Sequence, residues 1–219
     1  TLFKCILGLL SHYKGNVIIN GKNIRDLSTH DLASSVAYIP QVHLSAFSYS
    51  VIDMVLMGTS AQIKKFSSPG KDQYEIALDA LRKMNIIHLA ERNYAHISGG
   101  EQQLVLIARV IAQQAKIIIM DEPCSNLDYG NQIKVMQEAK KLASQGYLIV
   151  QSTHSPELAL LFADQVMVID GGRVAGFGSP SEVIDEELLL KIYGVNVQLH
   201  DIPKTSIRVC VPDINEGGN

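Results

Sequence analysis

Ile117-Ile118-Ile119-Met120-Asp121-Glu122-Pro123, running on into Cys124-Ser125-Asn126-Leu127-Asp128, decides the fold of this chain. An apolar run with no polar alternation is what a central parallel strand, buried on both faces, requires. Two adjacent carboxylates then stand at its carboxyl end, where open α/β sheets bind ligands. Neighbouring side chains on a strand point opposite ways, so Asp121 and Glu122 are expected to do different work. One suits Mg²⁺, directly or through water, and the other suits polarising an attacking water. The bland alternative is a strand that merely ends in two solvated acids.

Just upstream, Leu104, Ile107, Ala108, Ile111 and Ala112 mark one stripe of a helix. Ser98-Gly99-Gly100-Glu101 opens it, and serine followed three residues later by glutamate reads as a capping box. A cap does not explain the glycines, each costing about 1 kcal/mol relative to alanine in a helix. Close approach of backbone N–H groups to an anion at the positive end of the helix dipole does. Ser98, Gly99, Gly100 and Glu101 are therefore candidate phosphate-binding residues, with a pure capping role as the alternative.

Downstream the alternation is regular. A helix over 131–143 follows, then strand Leu148–Gln151, a helix over 156–162 with Ser155 as cap and Pro156 at its first position, and a strand over 166–169. Repeats of this length imply a parallel sheet covered on both faces. Before the opening stretch, Val36–Ile39 reads as a buried strand halted by Pro40. Asn20-Gly21 is a two-residue hairpin signal between Asn16–Ile19 and Lys22–Ile24, and residues 28–35 read as a short helix. Between about Val42 and Gln103 helical patterns dominate, at 51–57 and 74–84, so an inserted helical subdomain is expected. The division predicted is 1–41 and 104–195 for an α/β core, 42–103 for the insert and 196–219 for a small strand-rich extension whose last residues fray.

Gln41 and His154 each follow a predicted strand of this sheet and so belong to the same rim as the acid pair. His154 could reach a γ-phosphate or attacking water, while the other histidines read as structural. Asp128, in a turn rich in Ser and Asn, is either a ligand-facing acid or a cap. Cys5, Cys124 and Cys210 lack metal-ligand spacing and read as free thiols. The formal net charge of −3 offers no basic face for nucleic acid. No apolar run approaches the roughly 18–20 residues that span a bilayer.

Together these residues closely resemble the ATP-binding-cassette (ABC) ATPases, P-loop nucleoside triphosphatases with a RecA-like parallel-sheet core and an inserted α-helical subdomain. Ile97–Gln103 looks like the family's signature motif and Ile117–Glu122 like Walker B with its catalytic glutamate. Ser125–Asp128 matches the D-loop, Gln41 the Q-loop and His154 the switch histidine. Thr1-Leu2-Phe3-Lys4 looks like the residues after the Gly-Lys-Ser/Thr of Walker A. A narrower likeness, Ile39–His43 with Phe47–Gly58, is to the ATPases of importers for iron-siderophore, haem, cobalamin and related metal compounds. Ile97, Glu101 and Gln102 depart mildly from the commoner signature.

The resemblance implies ATP and Mg²⁺ as ligands and a head-to-tail homodimer enclosing two nucleotides. Each site would take Gln41, Asp121, Glu122 and His154 from one subunit, with Ser98, Gly99, Gly100, Glu101 and Asp128 from the other. Asp121 and Gln41 would hold the metal, Glu122 and His154 would be catalytic, and Thr1 would lie against the phosphates. It also implies a permease contacted through Ser45–Met57, a substrate-binding protein reached indirectly, no nucleic acid, and a place on the cytoplasmic face of the cell membrane. Ordinary helix packing is the alternative for Phe47, Tyr49, Val51, Ile52, Val55 and Leu56. The chain opens on Thr1 without the lysine-bearing loop, so these 219 residues alone are expected to bind ATP poorly and turn it over little. A non-catalytic pairing cassette is the rival reading. A DNA- or ribosome-directed cassette is disfavoured, since such proteins carry coiled coils or a second cassette.

Overall fold

The run Ile117–Met120 is the middle strand of a three-stranded parallel sheet, between Val36–Ile39 and Leu148–Gln151. The computed structural model describes residues 1–41, 48–63, 68–205 and 207–213. The chain divides into two units, Thr1–Ser152 and Thr153–Asn219.

The first unit runs α1 (Leu2–Ile6), β1 (Ile18–Ile19), β2 (Lys22–Asn23), α2 (Thr29–Ser35), β3 (Val36–Ile39), α3 (Val51–Leu56), α4 (Lys71–Lys83), α5 (Gly99–Ala112), β4 (Ile117–Met120), α6 (Tyr129–Ser144) and β5 (Leu148–Gln151). Asn20 and Gly21 both take positive φ, 51° and 77°, the two-residue turn that matches the twist of its flanking strands. Ile118, Ile119 and Met120 are buried, as the uninterrupted apolar run requires. On one side Ile119 and Val36 pack with Ile19 and Ile24, beside Phe3 and Ile6 of α1 and Leu7 at its end.

The central element is α5. Its predicted stripe is too narrow: Val105, Leu106 and Val110 are buried with Ile107, Ala108, Ile111 and Ala112, while Leu104 is only half-buried. The helix is enclosed by α3, α4 and the 3₁₀ turn Met57–Gln62 on one flank and by β3 and α6 on others. A helix covered on most sides needs apolar residues on most sides. Gly58 permits the closest approach. A Cβ there would lie 2.0 Å from the carbonyl oxygen of Arg109.

The same packing corrects the expected permease surface. Val51, Ile52, Met54, Val55 and Leu56 are all buried against the neighbouring helices. Of α3 and the residue after it, only Asp53 and Met57 face solvent. The predicted contact at 45–47 lies outside the described residues.

The second unit comprises α7 (Pro156–Phe162), β6 (Val166–Asp170), β7 (Arg173–Gly178), α8 (Pro180–Val183), α9 (Glu186–Tyr193), β8 (Val197–Asp201) and β9 (Arg208–Pro212). Ser155 caps α7 by accepting from the Leu158 N–H, with Pro156 in the first turn. The alternation places 166–169 among the parallel strands, but β6 pairs antiparallel with β7 in a sheet of its own. The reason is local: Gly171 and Gly172 both adopt positive φ and fold the chain straight back. Burial alternates along β6, unlike the solid apolar β4. The strand-rich end is the hairpin of β8 and β9, and the frayed tail expected at 215–219 lies outside the described residues.

Candidate functional site

The register of the parallel sheet builds the rim. Ile39, Met120 and Gln151 share one row, so the next residues along, Pro40, Asp121 and Ser152, form the row above it. Two further bonds extend the ladder by that step: Asp121 N–H to the Ile39 carbonyl at 2.9 Å, and Ser152 N–H to the Met120 carbonyl at 3.1 Å. Asp121 thus sits between its strand neighbours at the carboxyl edge, half-buried.

The two acids keep different company, as their opposed strand positions predict. Asp121 accepts from the Ser152 hydroxyl through Oδ1 at 2.6 Å and from the Tyr38 phenol through Oδ2 at 3.4 Å. Burial, followed by the Asp121 charge, pushes the Tyr38 phenol above its ordinary pKa, so it stays a donor. Glu122 accepts from Gln41 Nε2 through Oε2 at 2.7 Å. That bond commits the amide nitrogen of Gln41 and leaves its carbonyl as the end that can face a cation. Glu122 also has φ of +48°, a left-handed conformation uncommon for a residue with a Cβ. Its N–H donates to Ser152 Oγ at 2.9 Å.

A second group of predicted residues gathers at the start of α5. Ser98 caps the helix, and the Glu101 carboxylate accepts from the Ser98 N–H at 2.8 Å and hydroxyl at 2.7 Å. These bonds hold Glu101 below its ordinary pKa. The capping box is thus fully formed, and Glu101 spends its charge on it. The Gly100 argument changes as well. A Cβ there would lie 2.4 Å from Asn131 Cγ and would have to push that side chain aside, so packing against α6 is a second reason for glycine. Gly99 is different, since an added Cβ would make only ordinary contact with Leu127 at 3.6 Å. Asp128 is the cap of α6, accepting from the Asn131 N–H at 2.9 Å and Nδ2 at 2.7 Å. The Asn131 backbone bond is the chief cause that holds Asp128 below its usual range.

Between these groups the turn 122–128 is tied down by Gln132, whose amide donates to the Cys124 and Leu127 carbonyls at 3.2 and 3.0 Å. Burial pushes the Cys124 thiol up to about 11, so it is an inert packing group. Thr1 heads α1, exposed, with no side-chain cap bond. His154 belongs to the second unit, where its carbonyl accepts from the Tyr193 hydroxyl at 3.1 Å. Sequence reasoning missed Tyr38, Ser152 and Asn131. Aligning the three strand ends would have found Ser152, while no local pattern marks Asn131.

The donor set at the rim fits a magnesium nucleotide. Asp121 and the Gln41 carbonyl give a sparse oxygen set, which suits an ion that keeps waters and binds phosphate oxygens rather than a protein cage. Among the described residues no cluster of three His, Cys, Asp or Glu side chains offers such a cage. An α/β domain presenting paired acids at the carboxyl rim of its parallel strands has its ligand site there, with the acids suited to a nucleoside triphosphatase.

Comparison with known proteins narrows that class. The family model described as ABC transporter matches residues 1–125, and the chain belongs to this family as an ABC-type ATPase. An ABC transporter ATP-binding protein of Haemophilus influenzae with no assigned cargo is 44% identical over 91% of this chain and 76% of its own length. The hemin import ATP-binding protein HmuV of Rhodococcus jostii is 32% identical over 97% of this chain and 72% of its own. The molybdate import protein MolC of H. influenzae is 37% identical over 74% of this chain and 64% of its own. Among solved structures, a metal-chelate type ABC transporter in an inward-facing conformation superposes with TM-score 0.77 at 34% identity, covering 83% of this chain and 73% of that one. No helix among the described residues is long and apolar enough to cross a membrane.

Proposed function

We propose that the protein hydrolyses Mg²⁺-bound ATP as one of a pair of identical cassettes, and that this drives a membrane permease importing an iron-siderophore, haem, cobalamin or related metal compound. The observation that carries the hydrolytic reading is the rim itself: Gln41 bonded to Glu122 while Asp121 is held separately by Ser152 and Tyr38. The cargo class is supported by the hemin import relative and the metal-chelate type structure.

In this reading Asp121 and the Gln41 carbonyl hold Mg²⁺, which when bound neutralises charge on the nucleotide's phosphate oxygens. Glu122 orients and polarises the attacking water, and Gln41 ties the position of that acid to the end of β3. His154 serves the γ-phosphate region. The N–H groups of Gly99 and Gly100 at the start of α5 present the positive end of the helix to the nucleotide of the partner cassette. Ser98 and Glu101 act there chiefly by fixing the helix start, and Asp128 by fixing the neighbouring turn. Residues 42–103 make up the helical insert, and Ser48, Asp53 and Met57, exposed among the described residues of 45–57, are offered to the permease at the cytoplasmic face of the membrane. A substrate-binding protein delivers cargo to that permease.

The test is Mg²⁺-dependent phosphate release by the full-length gene product, alone and with its permease in proteoliposomes. Glu122→Gln should lower turnover by at least about 100-fold while ATP is still bound, because a group acting on the reacting water is lost. No Mg²⁺-dependent turnover by the wild-type protein sinks the hydrolytic reading and leaves a pairing cassette, while turnover unchanged in Glu122→Gln removes that acid from the reacting water. Uptake of labelled haem or ferric siderophore, against molybdate, decides the cargo.

A further inference from the structure

We infer that Ser152 is a positioning residue that sets both rim acids at once, its one hydroxyl spanning Asp121 and Glu122. The proposal rests on the ATPase reading above.

A serine hydroxyl has one proton to give and lone pairs to receive with. Here the proton goes to Asp121 Oδ1 at 2.6 Å, and the oxygen receives the Glu122 N–H at 2.9 Å. The first bond is short and charge-assisted, which fixes the direction of the hydroxyl and aims its lone pair at the next residue's amide. The second bond falls on the residue whose backbone is in the left-handed region, φ +48°. Such a conformation persists in a residue with a Cβ only where surrounding contacts over-determine it. Ser152 is itself anchored, because its own N–H continues the ladder onto the Met120 carbonyl at 3.1 Å. The hydroxyl therefore hangs from the sheet rather than from a loose loop. It turns the chain leaving β4 at Glu122 while holding the Asp121 carboxylate against its row.

Three consequences separate this role from a simple strand-end cap. Without the hydroxyl, Asp121 loses its nearest donor and Glu122 loses a bond that holds its backbone turn. The nucleotide-contacting helix start is untouched, so at saturating Mg²⁺ the KM for ATP should change little. A side chain that keeps the hydroxyl should keep the function.

The experiment compares Ser152→Ala, Ser152→Cys and Ser152→Thr in the full-length protein under saturating Mg²⁺ and ATP. Ser152→Ala should lower kcat by about 10- to 100-fold, the range for loss of a group that orients a ligating or catalytic side chain, with little change in the KM for ATP. Ser152→Cys retains volume but is a weak donor, so it should fold as wild type and share the kcat loss. Ser152→Thr should recover most of the turnover. Wild-type kcat in the alanine and cysteine variants, or a rise in KM with kcat kept, overturns the inference. A crystal structure of Ser152→Ala gives an arm independent of catalysis: Glu122 should leave the left-handed region, and an unmoved Glu122 backbone refutes the assignment. If instead the wild-type protein shows no turnover, the ATPase reading fails, and the crystallographic arm still judges Ser152.

Discussion

Replacing Gly100 by alanine tests why the second glycine of the α5 start is there. The added Cβ would lie 2.4, 2.5 and 2.8 Å from the Cγ, Oδ1 and Nδ2 atoms of Asn131, against an ordinary contact of at least 3.4 Å. The amide must retreat by about 1 Å, which breaks its 2.7 Å bond to Asp128 Oδ2. Overpacking of this kind costs about 1–3 kcal/mol, the lost hydrogen bond about 1 kcal/mol, and the gain in helix propensity returns at most about 1 kcal/mol. Gly100→Ala should thus lose about 2 kcal/mol. Asn131→Ala alone should lose about 1 kcal/mol, since its backbone N–H still reaches Asp128. Together they should return to within about 1 kcal/mol of wild type, because the atoms that met the new methyl are gone, a coupling of about 2 kcal/mol. Urea unfolding of the four proteins measures it. Additivity within about 0.5 kcal/mol would refute the packing explanation. Phosphate release reads the other half. If the helix start also approaches a phosphate, the double variant folds normally yet hydrolyses ATP poorly.

Gly58→Ala meets backbone rather than a flexible side-chain end, a carbonyl oxygen at 2.0 Å, so it should destabilise by at least about 1–3 kcal/mol and lower the thermal midpoint by about 2–4 °C for each kcal/mol. Gly146→Ala, with φ +87° and no atom within 4 Å of the new methyl, is the control and should lose only about 1–2 kcal/mol; equal midpoints for Gly58→Ala and wild type would contradict the packing of α5. The Glu101 carboxylate, held below its ordinary value by the Ser98 hydroxyl and N–H, contributes stability that is present above the unfolded glutamate pKa and is lost as pH falls through the depressed folded one. Glu101→Gln should therefore have a lower urea midpoint than wild type at neutral pH, with the gap narrowing as pH falls below the unfolded glutamate pKa; a gap that does not narrow in acid would show that the capping charge is not its cause.

Where a few adjacent residues set the backbone, the sequence predicts the structure. Asn20-Gly21 makes its turn, Ser155-Pro156 starts its helix, and the Ile117–Met120 run is the middle strand. Two helices start ahead of their apolar patterns. Asp128 begins α6 at Tyr129 rather than Asn131, and Gly70 begins α4 at Lys71 rather than Tyr74. What remained hidden depends on partners distant in sequence. Val51 and Ile52 look like a surface offered to another protein until α5 is seen to cover them. The need for glycine at 100 looks like a matter of phosphate approach alone until Asn131 is placed beside it, 31 positions along. The acid pair was legible because strand ends bind ligands as a rule of topology. Ser152 is legible only when the predicted strand ends are aligned, since its place in a row with Asp121 comes from the register and from no local motif.

The far end of α5 is gripped from two directions. Gln62 donates to the Ala112 carbonyl at 3.0 Å, and Gln113 donates to the carbonyls of Ala33 and Val36 at 2.6 and 3.1 Å. A helix so encased has little freedom to flex, and its 14 residues measure about 21 Å at 1.5 Å each. It behaves as a stiff rod pinned at its foot. Any tilt delivered there through the 3₁₀ turn arrives at Gly99 as sideways travel, lengthened by leverage, without a hinge in between.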